Sequence, residues 1–524
     1  MRKLISSSLL LAVALGASAQ SDAPDQSIIN RLKQEEAQNS KVMDIAFHLT
    51  DVSGPRLTGS PGYMNAANWA KTTLASWGLT NATLEPWGDF GKGWQQDRSY
   101  VAMTKPYYQP LIAIPRAWTG STPGKKITTG DVVLITAKDS AELMQFAGKL
   151  KGKIVMTMVS DTLRPSFEPD GSRYPDTSLA KMAAAEPRSA NGNRPQGGPN
   201  NRQGAFASRA AFQRTLTAML ESEKPMLVLY TQRGNDGTVF VQGGGQFTKD
   251  AMVPPASVAL SSDDYLRLQR LVMAGVPVQL EADVKTTFFD KDLKGYNVIA
   301  EITGTDPTLK SEVVMLGGHL DSWHGATGAT DNAAGCAVMM EAVRLLKSLN
   351  FQPKRTIRIA LWSGEEQGLF GSRNYVKNHF GDPATMQLTP DQQKVSAYYN
   401  LDNGTGRLRG IYAQGNTDVR PIFSQWLAPF KDMDAGTVTI NNTGSTDHVS
   451  FDAVGIPGFQ FIQDPIEYNT RTHHSNMDTY DHLVPEDLKQ ASVIVASFVY
   501  NTAMRAEKLP RKELPKPRSD QRTF

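Results

Sequence analysis

Apolar and polar positions follow several successive patterns along the chain. From Gln26 to about Gly78 apolar residues recur at helical spacing, most clearly in YMNAANWAKTTLASWGL, with a Gly/Pro-rich break at SGPRLTGSPGY. From about Tyr100 the runs shorten. GDVVLITA (Gly130–Ala137), GKIVMTMV (Gly152–Val159), MLVLYTQ and TVFVQGGG are brief apolar or alternating stretches between turn residues, which predicts a compact β-rich module. Pro187 to about Gln213 is rich in Gly, Asn, Arg and Pro and predicts a mobile excursion. SSDDYLRLQRLVMAG predicts a helix with Ser or Asp as N-cap. After Asn297 the runs NVIAEITG, VVMLGG, TIRIALW and VSAYYNLD alternate with strong helical patterns such as NAAGCAVMMEAVRLLKSL (Asn332–Leu349). PEDLKQASVIVASFVYNTAM closes the series as a helix starting near Val484–Pro485. Alternating strands and helices predict an α/β layer with a largely parallel or mixed sheet.

Composition adds little: 40% of the 524 residues are apolar and 20% charged, ordinary for a globular chain. A net charge of +3 gives no electrostatic case for a nucleic-acid partner. The N-terminus changes the picture more. Arg2 and Lys3, the short apolar run LLLAVALGA and ASA before Gln20 read as an export signal over residues 1–19. That run is too short to span a bilayer, and no other stretch is apolar for long enough. The mature chain is therefore expected to be exported, periplasmic or secreted. Cys336, the single cysteine, excludes an intrachain disulfide and a thiolate metal site, and its place in a predicted helix favours a small buried role.

Candidate chemistry begins with the eight histidines, none of which lies between His48 and His319. A histidine-dependent site thus belongs to the α/β part. Ligands of open α/β sheets bind beyond the carboxyl ends of strands. VVMLGG delivers His319 and then Asp321 there, TIRIALW delivers Glu365 and Glu366, and VSAYYNL delivers Asp402. Asp331 opens a helix within GATGATDNAAG, and RTHHSNMDTYDHL holds two adjacent histidines. Taken singly, a Glu-Glu pair is most often a solvated turn, and an Asp at a helix start is favoured by the dipole alone. Together, His319, Asp331, Glu365, Glu366, Asp402 and one of His473 or His474 form a mixed imidazole–carboxylate set that suits Zn²⁺. The carboxylates outnumber what one tetrahedral ion with an open position can use, so two ions bridged by a carboxylate are expected. One glutamate of the pair would then bind metal and the other accept a proton from water; spacing does not say which. GSTPGKK falls one residue short of a phosphate loop, GTGRLRG is a weak dinucleotide signal, and no G-x-S-x-G or H-E-x-x-H occurs.

In combination, GGHLDS, TGATDNAAG, LWSGEEQGLFGS, NLDN and HHSNMDTYD resemble metallopeptidase family twenty-eight, the co-catalytic zinc exopeptidases, over about His319 to Asp481. The layout is most similar to the plasma glutamate carboxypeptidase branch. GPRLTGSPG resembles the family's leading segment, and GDVVLI with KGKIVM resembles a protease-associated domain. The resemblance implies a zinc-exopeptidase α/β sandwich with a central mixed, largely parallel sheet. It divides the chain into residues 24–100 as the first part of the catalytic domain, 101–290 as a β-rich insert and 291–508 as the catalytic domain, while composition predicts 187–213 to be mobile and the basic, Pro-containing 509–524 to be a disordered tail. It implies that His319, Asp331 and Asp402 hold one zinc, that Asp331, Glu366 and His474 hold the other, and that Glu365 is the general base. His474 is preferred to His473 because it occupies the histidine of HSNMDT. Asp321 would orient His319 from behind the metal, and His448 in STDHVSF is either a pocket residue or a core histidine. His48, His324, His379 and His482 are assigned to ordinary structure. The implied activity is hydrolysis of terminal peptide bonds of peptides or dipeptides. The loops carrying Tyr468 and Arg471, or the insert, would recognise the substrate's end. Two alternatives use a similar scaffold: a non-catalytic receptor-like binding protein and a glutaminyl-cyclase-like acyltransferase with one zinc. The full ligand set favours the peptidase. Oligomer formation is left open.

Overall fold

The computed structural model of the chain describes residues 22–161, 163–187 and 201–517. The export signal at 1–19 and part of the predicted mobile excursion therefore lie outside the described residues.

Two eight-stranded sheets organise the chain. The first runs, edge to edge, Thr80–Asp89, Lys294–Ile302, Thr356–Trp362, Val313–His319, Val395–Asn400, Gly458–Gln463, Leu408–Tyr412 and Thr437–Thr439. Its four central strands are parallel. In the strand Val313–His319, Val314 and Leu316 enter the core under the helices Ala334–Ser348 and Pro485–Met504, while Val313 and Met315 enter a second core with Trp362, Tyr375, Tyr398 and Phe451. Both faces are covered, so the strand needs apolar residues at every position, which is why it reads as an unbroken run. Gly317 admits the neighbouring strand: a Cβ there would lie 2.0 Å from the Ala360 carbonyl oxygen. Gly317→Ala is expected to destabilise the protein by about 1–3 kcal/mol through overpacking, visible as a lower calorimetric unfolding midpoint; an unchanged midpoint would contradict the close approach.

The second sheet runs Gln109–Pro110, Gly93–Lys105, Gln279–Phe289, Thr128–Ile135, Ile154–Thr157, Leu227–Thr231, Ser257–Leu260 and Ala113–Pro115. The predicted helix after it spans Ser262–Met273 and is capped by Ser261, whose hydroxyl accepts from the Asp264 N–H. Three expectations need correction. TVFVQGGG is not a strand: Phe240 and Gly243 make single bridges, and the segment runs across to the loop at Ser475. Its peptide groups are spent on that loop rather than on a ladder. From Asn201 the predicted mobile excursion is a helix reaching Glu223, because Leu216, Met219 and Leu220 form an apolar stripe against Val155 and Val228. The tail from residue 509 is laid against the first sheet's domain. Arg511 donates to the carbonyls of Gln392, Val395 and Gly455, Lys512 pairs with Asp452, and Leu509 is buried. Guanidinium donors satisfied by carbonyls hold the chain there where composition alone predicts disorder; residues 518–524 lie outside the described residues.

Candidate active site

His319 ends its strand directly opposite Trp362. Three residues after Trp362 come Glu365 and Glu366, and two residues after the next parallel strand comes Asp402. The parallel register therefore brings three ligand-bearing strand ends side by side. His319 Nε2 lies 3.2 Å from Asp402 Oδ1 and 3.3 Å from Asp331 Oδ1. His474 Nε2 lies 3.3 Å from Asp331 Oδ2 and 2.8 Å from Glu366 Oε2. The two oxygens of Asp331 thus face different histidines.

Asp331 is not a helix-start carboxylate. Its backbone is extended (φ −131°, ψ 87°), and the helix begins at Ala334. Its own N–H and that of Thr330 donate to the carboxylate of Asp478, at 3.0 and 2.6 Å. Arg56, fully buried, donates to the carbonyls of Leu49, Leu320, Thr327 and Gly328 and so ties the loop before Asp331 to the chain just beyond His319. Neither Asp478 nor Arg56 is singled out by the sequence. Both sit in quoted motifs, but their partners are backbone groups with no sequence signal.

Asp321 sits differently from expectation. The His319 ring nitrogen Nδ1 is 2.9 Å from the Asp321 backbone carbonyl, with the carboxylate at 3.7 Å. That carboxylate instead accepts from Thr58 Oγ1 and from the N–H groups of Glu365 and Glu366. It holds the turn that presents the glutamate pair. His448 is not brought into the cluster: it is buried, its Nε2 lies against Gln414 and the Thr443 carbonyl, and burial depresses its pKa to about 4. Its neighbour Asp447 is fully buried. Burial pushes its carboxyl up to about 7, and its charge acts on Glu365. His48 stacks on Trp69, and His324, His379 and His482 meet the Pro115 carbonyl, Glu85 and Glu467 respectively.

Burial and crowding disfavour ionising all of these carboxylates together in the absence of positive charge. Burial first, and then the neighbouring carboxylates, push Glu365 and Glu366 well above the usual carboxyl range. Burial also acts to raise Asp331, but the ring nitrogens of His319, His474 and His473 hold it below that range. Asp331 Oδ2 and Glu366 Oε1 are buried with no hydrogen-bond partner. Buried carboxylate oxygens without donors are costly unless a cation meets them. Two triads have donor atoms within 4.8 Å of one another: His319, Asp331 and Asp402, and Asp331, His473 and His474. In the second, His473 is the outlying member, 3.9 Å from Asp331 Oδ2, whereas Glu366 is close to His474. These donors fit a pair of divalent ions sharing Asp331.

A doubly covered α/β sheet with histidines and carboxylates clustered at its parallel strand ends defines a class of protein with a candidate metal site at that edge. Residues 297–499 match the model of peptidase family M28. It is 26% identical over 488 residues to human carboxypeptidase Q, covering 93% of this chain and 90% of that one. It is 32% identical to leupeptin-inactivating enzyme 1 of Streptomyces exfoliatus over 202 residues, 38% of this chain and 41% of that one. The fold matches that of a peptidase M28 precursor from Shewanella amazonensis (TM-score 0.65, 23% identity, 94% of this chain and 99% of that one). It also matches a Bacillus subtilis zinc aminopeptidase (TM-score 0.55, 19% identity, 90% and 96%). The chain shares the mixed α/β fold of these structures. No helix among the described residues is long and apolar enough to cross a membrane.

Proposed function

We propose that the protein is an exported zinc-dependent exopeptidase that cleaves a terminal bond of short peptides. The observation that supports this most directly is the division of Asp331 between the two histidine groups, at 3.3 Å each. His319, Asp331 and Asp402 would hold one zinc, and Asp331, Glu366 and His474 the other. Bound there, the pair of ions would acidify water toward neutral pH and stabilise negative charge on the scissile carbonyl oxygen.

The remaining work falls to the chain. Glu365 stands 4.0 Å from His319 Nε2 and makes no contact with His474, so it is the glutamate free to move a proton. It would take one from the attacking water at Oε2 and return it to the leaving nitrogen. Positive charge among these carboxylates would bring Glu365 back down to the ionised form that this step needs. Asp321 keeps it aimed by holding the backbone of the Glu-Glu turn. Trp323, whose ring meets His474 at 6.1 Å, walls the site on one side. Export rests on the leader at residues 1–19 alone.

The test is zinc content with dipeptide hydrolysis. Purified protein is expected to bind about two zinc equivalents, to lose amino-acid release on dialysis against a chelator, and to recover it with added Zn²⁺. Hydrolysis that survives complete metal removal would overturn the reading.

A further inference from the structure

One segment of the insert bonds directly to the loop that carries His474. Val241 N donates to the His474 carbonyl at 2.8 Å, Val239 N to Asn476 Oδ1 at 2.7 Å, and Asn476 Nδ2 returns to the Gly237 carbonyl at 3.1 Å. The turn that leads into this segment carries Arg233. Gly234 closes the turn (φ +133°), and a Cβ there would strike the Thr238 carbonyl oxygen at 2.4 Å, so its geometry is tightly set. The Arg233 guanidinium lies over the Phe240 ring, 4.4 Å from its centroid. A cleft of about 600 Å³ opens beside it, lined also by Arg164, Asp170, Phe240, Asn469 and Thr470, and so borders the loop that carries His473.

Arg164, the other cation lining this cleft, lies 3.6 Å from Asp161, and Arg471 nearby is paired with the cleft's Asp170 at 2.6 Å. Among the described residues Arg233 has neither a carboxylate partner nor a hydrogen bond, only the aromatic ring beneath it. A planar guanidinium held on a ring, with its fork free beside the loop that carries His473 and His474, suits a carboxylate.

We propose that Arg233 binds the free α-carboxylate of the substrate, which directs the enzyme to dipeptides and peptide C-termini. This rests on the peptidase reading above. The test uses the zinc-loaded full chain with alanyl-alanine and alanyl-alaninamide, and calorimetric titration with a phosphinic analogue of alanyl-alanine. Wild type is expected to favour the free acid. Arg233→Gln should lower kcat/KM for the free acid about 10- to 100-fold, mainly through KM, and leave the amide unchanged. Arg233→Lys should fall between. The analogue should bind Arg233→Gln about 10- to 100-fold more weakly than wild type. Equal losses on acid and amide, or no loss on the acid, would overturn the proposal. Should wild type cleave neither compound, the peptidase reading fails, and the titration then decides alone: equal affinities of wild type and Arg233→Gln would dismiss Arg233 as the carboxylate site.

Discussion

Glu365→Gln is expected to lower kcat by about 10²–10⁴-fold while zinc content stays at the wild-type level. The two glutamates look equivalent along the chain, and the structure separates them. Glu366 Oε2 is 2.8 Å from His474 and its side chain is 2% exposed; Glu365 is 4.0 Å from His319, and its side chain is 10% exposed. One carboxylate is committed to the histidine cluster and the other stands at its edge, where water and substrate have access. An amide at Glu365 keeps the shape and the Asp321 contacts of the turn, since those contacts are made by backbone N–H groups. It removes only the capacity to hold a proton. Turnover and metal content measured on the same preparation decide the matter: normal kcat with zinc bound would remove Glu365 from the mechanism, and lost zinc would reassign it as a ligand.

Asp331→Ala is expected to weaken zinc binding at both positions, by more than about 100-fold, and to reduce activity to background. Removing a residue that only supports a ligand already costs 10- to 100-fold in metal affinity, and a shared ligand should cost more. Asp331 is the one side chain common to both triads, so its loss leaves each with two donors. Elemental analysis reads the effect directly. One full zinc equivalent retained per chain would show that the two positions are independent and that Asp331 does not bridge them. The fold should survive, because the backbone at Asp331 is held by Asp478 and Arg56 rather than by its own side chain.

Much of this was legible in one dimension for a definite reason. The central strands are covered on both faces, so they appear as unbroken apolar runs, and in a parallel sheet the residue just past each run falls at the same edge. His319, Glu365, Glu366 and Asp402 are found by that rule. The insert was less legible. Its chain repeatedly leaves the sheet, and TVFVQGGG has a strand's composition while its hydrogen bonds go to the His474 loop. Arg471 read as a candidate for binding a substrate's end, yet Asp170, some 300 positions away, already holds it. The tail read as disordered because its partners, the carbonyls of Gln392, Val395 and Gly455, leave no trace in its own composition.

The sequence by itself determined which candidate side chains follow which strand ends, because covalent order and hydrophobic period are local properties. Only the tertiary structure decided how they divide the work. It separated Glu366 from Glu365, turned the two oxygens of Asp331 toward different histidines, and left Arg233 without a carboxylate partner among the described residues. Those outcomes depend on distances between residues remote in the chain, and such distances are set by packing and by backbone hydrogen bonds that any residue type can make.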